Sequence, residues 1–304
     1  MTDARNTILN RIAATVIAIA MAFALGAVFS SASTQTAHAA TKVTVPKVTV
    51  SKVTRTADGL KVTWKKVSSS KATGYQIRYS TNKDFKSDVK KVTVNKVTAT
   101  SKTIEKLKSA KTYYVQMRAY KKVGKNTYYS NAWSATKSVH TKFRSTDKTL
   151  AKNVNAILDK STVGRNGAAS LKKAFVYVAK MNFTTAGKTA PKSGKINDVK
   201  AANLMVKNKG GNCYESAALF CWLAKGLGYD AKVVCGKTSD HAHGWVEVKY
   251  NGKWVICDPN TTNTLIKYPT SKVSKDIKAR GLKLETALYL QSKSKPLFNY
   301  VAAK

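Results

Sequence analysis

Apolar and polar residues alternate through the first third of the chain that follows its N-terminal segment. Apolar side chains take every second position in three stretches, and each stretch predicts a strand with one buried face. These stretches are residues 60–64, 75–79 and 113–120. Turn-forming residues flank them, at Asp58-Gly59, Ser68 to Ser70 and Val123-Gly124. Short alternating strands with regular turns, in a region without cysteine, predict an antiparallel β-sandwich over residues 41–141.

Beyond residue 147 the apolar residues recur at helical spacing, and from about residue 231 they alternate with polar residues again. Helices are predicted at 148–160, 170–180, 198–206 and from Cys213 to about residue 226, with a polar loop at 184–197. Strands are predicted at 231–235, 244–250 and 253–257, the last two joined by Asn251-Gly252, a strong hairpin signal. Helices followed by an antiparallel meander predict an α+β domain.

The N-terminus has the pattern of a secretory signal peptide, assigned to residues 1–39. Arg5 and Arg11 precede an uncharged apolar run from Ile12 to Phe29, and Ala37-His38-Ala39 supplies a cleavage site. The alternative is an uncleaved membrane anchor, for which the run is borderline because a spanning helix needs about 20 residues. The pattern predicts a secreted, extracellular protein with no integral membrane segment after cleavage.

The net charge is +39, from 54 Lys and Arg against 15 Asp and Glu. The excess is evenly spread, with +19 in residues 41–141 and +19 in residues 142–304. An even coat of mostly lysine does not indicate a specific nucleic-acid site, which would need a localised patch. For an exported protein, it favours electrostatic retention at anionic cell-envelope polymers, which salt would weaken. Solubility or adaptation to high salt is the simpler alternative.

All four cysteines (Cys213, Cys221, Cys235 and Cys257) lie between residues 213 and 257. An even number in a secreted protein normally predicts disulfides. If Cys213 is a nucleophile, at most one intramolecular bridge remains possible. Their spacing does not match a paired metal site, and Cys221 is predicted to be a core residue.

Residues 210–218, Gly-Gly-Asn-Cys-Tyr-Glu-Ser-Ala-Ala, place Cys213 where a glycine-containing loop turns into an apolar helix. His243 and Asp258 follow, next to two predicted strands of one hairpin. A thiol, an imidazole and a carboxylate are the parts of an activated nucleophile. The positive end of the helix dipole favours a thiolate at Cys213, and the glycines let backbone N–H groups approach an oxyanion. The alternative is that Cys213 is a buried core cysteine.

The sandwich region resembles a fibronectin type III module, an immunoglobulin-like fold. Trp64 ends a D-G-L-x-V-x-W pattern, and Leu107 precedes Tyr113 by six residues, as in a tyrosine corner. The resemblance covers residues 42–141, with 142–150 as a linker. This fold hosts many roles, so it implies a spacer or binding module and little more.

The second region resembles the transglutaminase-like (papain-like thiol) superfamily. The blocks G-G-N-C-Y-E-S-A-A, H-G-W-V-E-V and W-V-I-C-D-P carry the resemblance, whose core spans 165–262 of a domain at 151–304. It implies that Cys213 is the nucleophile, His243 the base and Asp258 the group that orients the base. It also implies an oxyanion side chain from upstream, for which no residue is diagnostic.

Three neighbouring residues have open roles. His241 lies two positions before His243 and is interpreted as a neighbour or a solvated loop residue. Trp245 shares a strand face with His243, so it walls the cleft or packs in the core. Glu215 lies in the first turn of its helix, where a carboxylate is favourable for dipole reasons alone.

The sequence therefore predicts a secreted, envelope-associated cysteine enzyme with peptide or protein substrates. A Cys thioester would be hydrolysed or transferred to an amine. No calcium-type acidic loop occurs, so no metal or cofactor is expected. The alternative is a non-catalytic, adhesin-like surface-binding protein with the thiol domain as scaffold. Residues 262–304 are interpreted as a helical cap over the cleft or a wall-binding tail.

Overall fold

The computed structural model describes residues 42–165, 167–184, 195–239 and 241–303. The predicted signal peptide at 1–39 lies outside them, as do residues 185–194 of the predicted polar loop. Residues from Val43 onward form one compact unit. In the described ranges, no helix combines the length and the apolar character needed to cross a membrane.

The first region is a β-sandwich, as the alternation predicts. Its strands are β1 (Val50–Arg55), β2 (Leu60–Trp64), β3 (Gly74–Ser80), β4 (Lys90–Val94), β5 (Ser101–Ile104), β6 (Thr112–Val123), β7 (Asn126–Tyr129) and β8 (Lys137–His140). One sheet has the order β1-β2-β5, and the other has the order β4-β3-β6-β7 with β8 also paired to β6. All of these pairs are antiparallel.

The sandwich core is built from the inward faces of the alternating strands. Trp64 and Tyr75 meet edge to face, with ring centroids 5.2 Å apart. The predicted tyrosine corner is present, because the backbone N–H of Lys108 donates to the Tyr113 hydroxyl at 3.1 Å beside the buried Leu107. These contacts fix the sandwich without any charged group in its core.

The second region contains six α-helices and seven strands among its described residues. The helices are α1 (Lys148–Leu158), α2 (Gly167–Ala179), α3 (Asp198–Lys207), α4 (Cys213–Gly226), α5 (Pro259–Lys267) and α6 (Lys272–Ala279). The strands are β9 (Asn182–Phe183), β10 (Gly210–Gly211), β11 (Ala231–Thr238), β12 (His241–Tyr250), β13 (Lys253–Cys257), β14 (Gln291–Ser292) and β15 (Tyr300–Ala302). The predicted helices and strands are all present.

Five strands form an antiparallel sheet in the order β14-β13-β12-β11-β15. Helix α4 packs against it and is buried on almost every side, which its run of apolar residues explains. Strand β12 begins at His241, three residues earlier than predicted, and therefore carries His243 within the sheet.

The C-terminal segment belongs to this sheet, which neither interpretation of residues 262–304 predicts. Strand β14 pairs with β13, and β15 pairs with β11, so the segment supplies both edges of the sheet. Its helices pack against the same core through Leu265 and Ile277. The segment is thus an integral part of the second domain.

The connection between the domains is packed. Phe143, within the predicted linker 142–150, is buried in the core of the second domain, and α1 already begins at Lys148. His140 at the end of β8 makes a hydrogen bond of 3.1 Å from Nε2 to the carbonyl oxygen of Gly226, the last residue of α4. The sandwich therefore contacts the end of α4 opposite to Cys213.

Candidate catalytic site

A capping box fixes the start of α4, where Cys213 is the first helical residue. The Asn212 side chain accepts from the backbone N–H groups of Tyr214 and Glu215 at 3.0 and 3.1 Å, and the Glu215 carboxylate accepts from the N–H of Asn212 at 3.1 Å. Glu215 is therefore buried as part of the cap. The sequence predicts only a favourable interaction of its carboxylate with the helix dipole. Three of the four orphan N–H groups of this helix end are satisfied in this way.

The remaining one of these four, the N–H of Cys213, has no acceptor among the residues that the structure describes. It lies on the residue that carries the thiol, at the positive end of the helix dipole. A donor in this position is suited to stabilise negative charge that develops on a carbonyl oxygen attacked by the thiol. The backbone itself therefore offers one oxyanion donor. No side-chain donor for an oxyanion was assigned from the sequence, and the hydrogen bonds of the described residues do not identify one.

The two glycines before Cys213 are required by close packing. A Cβ at Gly211 would meet the Met205 sulfur at 2.8 Å and the Glu215 carboxylate closer still. A Cβ at Gly210 would overlap the backbone of Asn182, because β10 and β9 pair in parallel there. Only glycine lets this loop pass between β9 and the capping carboxylate, so the glycines determine where α4 begins.

Strand β12 brings His243 next to the start of α4. The residue after the histidine, Gly244, lies against Tyr214, and a Cβ there would be 2.7 Å from the tyrosine ring and 3.2 Å from its Cα. The missing side chain lets the helix end approach the strand. His243 is 7% exposed, and Cys213 is near enough to raise the pKa of its imidazole.

Asp258 follows β13 and is fully buried. It caps α5 by accepting from the backbone N–H of Thr261 at 2.9 Å. Its other oxygen, Oδ2, accepts from His243 Nε2 at 2.8 Å, from the Thr261 hydroxyl at 2.7 Å and from the Tyr300 hydroxyl at 2.9 Å. A buried carboxylate is costly without partners, and this one is fully satisfied.

Asp258 and His243 stabilise each other's charged forms. Burial alone would lower the pKa of His243, but the Asp258 charge and hydrogen bond, together with the nearby Cys213, raise the pKa to about 10. Burial would raise the pKa of Asp258, but the His243 charge and hydrogen bonds from His243 and Thr261 hold the pKa below its usual value. Since Asp258 occupies Nε2, Nδ1 is the ring nitrogen left to face the thiol.

Aromatic rings cover this pair. Trp245 is buried, stacks on His243 with centroids 6.5 Å apart, and meets the Tyr300 ring at 5.1 Å. Burial and the nearby Asp258 charge raise the pKa of Tyr300, so its hydroxyl remains a donor. Trp245 has both of its predicted roles, because it packs in the core and also forms the wall beside the imidazole.

The other candidate residues lie apart from this arrangement. His241 is exposed, as expected of a solvated neighbour. Cys221 and Cys257 are fully buried, and burial raises the pKa of both thiols. All four cysteines are free, and Cys213 is the partly exposed one. Among the described residues, no three His, Cys, Asp or Glu side chains are grouped to hold a metal ion.

Sequence reasoning missed Thr261 and Tyr300. Thr261 could have been found, since a hydroxyl three residues after an N-cap aspartate lies within reach of it. Tyr300 is separated from Asp258 by 42 residues and lies in a three-residue strand. No local pattern reveals such a partner, because it depends on how the sheet is completed.

Comparisons with known proteins agree with this architecture. A family model for the fibronectin type III domain matches residues 43–136, and one for the transglutaminase-like superfamily matches residues 164–259. No curated protein matches the chain.

Two solved structures resemble part of the chain. One is the crystal structure of the FN1–FN3 domains of chicken CNTN1, with 26% identity and a TM-score of 0.27 over 32% of this chain and 30% of that one. The other is the solution structure of an fn3 domain of human contactin 1, with 22% identity and a TM-score of 0.29 over 39% of this chain and 98% of that one. This chain therefore covers less than a third of the chicken structure. On the strength of the two family models, the chain contains a fibronectin type III domain followed by a transglutaminase-like domain.

Proposed function

We propose that this protein is a secreted, cell-envelope-associated cysteine enzyme that acts on peptide or carboxamide bonds. The observation that carries the proposal is the line of groups from Cys213 at the start of α4, through His243, to the buried Asp258. In this proposal Cys213 is the nucleophile, His243 the general base and then acid, and Asp258 the group that orients the imidazole.

The reaction has two stages. The Cys213 thiolate attacks the carbonyl carbon, and the N–H of Cys213 donates to the oxyanion. The C–N bond then breaks, the amine or ammonia leaves with a proton from His243, and a thioester remains. Water or an amine attacks the thioester with His243 as base, which releases the acid or the new amide and regenerates the thiol.

The chain's own glutamines are poorly placed as acyl donors. Beyond residue 40 they are Gln76, Gln116 and Gln291. The amide oxygens of Gln76 and Gln116 are held by Arg118 and Arg78, and Gln291 is buried. An external peptide or protein is therefore favoured as the acyl donor, while water and lysine amines both remain possible acceptors.

The proposed location rests on the sequence. The signal-peptide pattern would direct the chain outside the cell, and the +39 charge would hold it loosely at anionic envelope polymers. Release of the protein from isolated envelopes by salt tests this part of the proposal, because exposed charges separated by more than about 8–10 Å are screened at physiological salt.

The catalytic part is tested by the rate of iodoacetamide alkylation at each cysteine against pH, read by peptide mapping. We expect Cys213 to react fastest and to react in weakly acidic solution, while the buried Cys221 and Cys257 stay unmodified. His243→Ala should abolish that reactivity at low pH. His241→Ala is the matched control, since it removes an exposed imidazole two residues away and should change nothing.

Slow, ordinary reactivity of Cys213 in the unsubstituted protein would contradict the catalytic proposal and favour a non-catalytic surface-binding protein. Should His243→Ala fail to fold, His243→Gln gives the same comparison, because it keeps a hydrogen-bonding side chain without a titrating ring.

A further inference from the structure

A large concavity lies on the second domain between the segment that follows α1, one face of α2, and the ends of α3 and of the segment after α6. Its volume is about 1000 Å³. Six lysines line it among the described residues: Lys160, Lys172, Lys173, Lys180, Lys209 and Lys283. We call this concavity the lysine pocket.

The positive charge of the lysine pocket is almost uncompensated. Glu285 is the acidic residue among its described lining, and its carboxylate is 2.6 Å from the Lys180 ammonium. Lys160, Lys180 and Lys209 follow helix C-termini, where a cation is favourable for dipole reasons. Lys172, Lys173 and Lys283 have no such role. They have no anionic partner among the residues that the structure describes.

The pocket also has an apolar part. Val163, Val176, Tyr177, Met181 and Val206 contribute to its lining, and the lysines stand around them. Purely electrostatic retention on a polyanion needs no such surface. Apolar surface beside uncompensated ammonium groups suits a ligand that carries both carboxylates and apolar side chains.

A second concavity of about 750 Å³ adjoins the lysine pocket on the side of β9. The two share Lys180, Met181 and Glu285 in their linings. The second is also lined by Asn182 and Phe183 of β9. Strand β9 pairs with Gly210 and Gly211, which precede Asn212 and Cys213. Strand β9 therefore lies between the second concavity and the loop that leads to Cys213.

We infer that the lysine pocket binds an acidic, partly apolar segment of the peptide or protein substrate, at a distance from the bond that reacts at Cys213. This inference rests on the proposed function and names its substrate class. Carboxylates of the segment pair with Lys172, Lys173 and Lys283, and its apolar side chains cover Val176 and Tyr177. A polymer of repeating glycerol phosphate would leave that apolar surface unfilled.

The test is a binding measurement that needs no catalysis. The full chain carrying Cys213→Ala is titrated into a fluorescein-labelled ten-residue peptide that alternates Glu with Leu, and fluorescence anisotropy is recorded at two salt concentrations. A second peptide has Gln for every Glu. We expect the acidic peptide to bind at least about tenfold more tightly than the Gln peptide.

Matched variants separate the pocket from the general charge coat. The triple variant Lys172→Gln, Lys173→Gln and Lys283→Gln should weaken binding of the acidic peptide about tenfold. The control triple Lys253→Gln, Lys275→Gln and Lys295→Gln removes the same charge from exposed positions on the same domain and should weaken it by less than about twofold.

Three results would overturn the inference. Equal weakening by the two triple variants would assign the binding to the overall charge. Equal affinity for the two peptides would exclude recognition of carboxylates. Displacement of the peptide by glycerol-phosphate polymer at equal charge concentration would indicate a polyanion site instead. Because the protein carries Cys213→Ala, these results are independent of the alkylation experiment, which alone tests the catalytic proposal.

Discussion

The sandwich and the transglutaminase-like domain bury different kinds of side chain. In residues 42–141 the buried polar side chains are hydroxyls and His140, which lies at the contact with α4. The ionisable polar side chains that the second domain buries among its described residues are Asp258, His243, Glu215, Glu247 and Arg165. Buried charges are costly, and replacing them by apolar groups often stabilises a protein. Three of them, Asp258, His243 and Glu215, lie beside the start of α4, so the second domain gives up stability to hold a polar arrangement around Cys213.

The largest effect of this difference between the two domains is expected in the pH dependence of stability. The pKa of His243 is raised, so its contribution is complete below about pH 6.5 and is lost as the pH rises through about 10. The pKa of Asp258 is lowered, so its contribution is complete above about pH 3.9 and is lost as the pH falls through its folded value. Stability from the pair should be greatest between these limits and decline on both sides.

Melting temperatures measured from pH 2 to pH 10 check this expectation. In the double variant Asp258→Asn with His243→Gln, the melting temperature should change less with pH on both the acid and the alkaline side. Either single change should lower the free energy of unfolding by about 3–5 kcal/mol, because it leaves a buried partner uncompensated. Unchanged slopes in the double variant would mean that other groups control the pH dependence.

The second test changes the approach of α4 to β12. In Gly244→Ala the added Cβ would overlap Tyr214, so the start of the helix must move away from His243. We expect the alkylation rate of Cys213 in weakly acidic solution to fall about tenfold or more, because sub-ångström placement governs reactions between neighbouring groups. Adding Tyr214→Ala should restore part of the rate. A full rate in Gly244→Ala would show that this close contact is unnecessary.

A smaller effect is expected from Tyr300→Phe, which removes one donor from Asp258 and keeps the ring against Trp245. The free energy of unfolding should fall by about 1.5–3 kcal/mol, as for other hydrogen bonds to charged groups. The acid side of the stability profile should move to higher pH, because a carboxylate with fewer donors protonates more easily. The control Tyr289→Phe, elsewhere in the same segment, should leave the acid side of the stability profile unchanged.

The smallest effect on the site is expected from Tyr113→Phe in the sandwich. It removes the acceptor of the Lys108 N–H, so urea unfolding should show a loss of about 1–3 kcal/mol. The alkylation profile of Cys213 should not change, because no charged network joins the tyrosine corner to the site. A changed profile would mean that the sandwich supports the site through α4.

Most of the second domain was predictable, and what was missed has a common cause. The strand at residues 253–257 and the helix at Cys213 follow from periodicity and from the turn at Asn251-Gly252. Strands β14 and β15 contain two and three residues, which are too few to show an alternating pattern of apolar and polar residues. The place of residues 262–304 in the sheet was therefore not predicted, because edge strands this short form only when a sheet is already present to pair with them.

The sequence by itself determined the sandwich and the α+β order of the second domain, because alternation, helical period and glycine placement act over neighbouring residues. Its resemblance to the transglutaminase-like superfamily pointed to Cys213, His243 and Asp258 as the candidate site. Only the tertiary structure decided that Tyr300 donates to Asp258 and that Lys172, Lys173 and Lys283 surround one pocket. Those contacts join segments far apart in the chain, and their formation depends on the packing of the whole sheet and its helices.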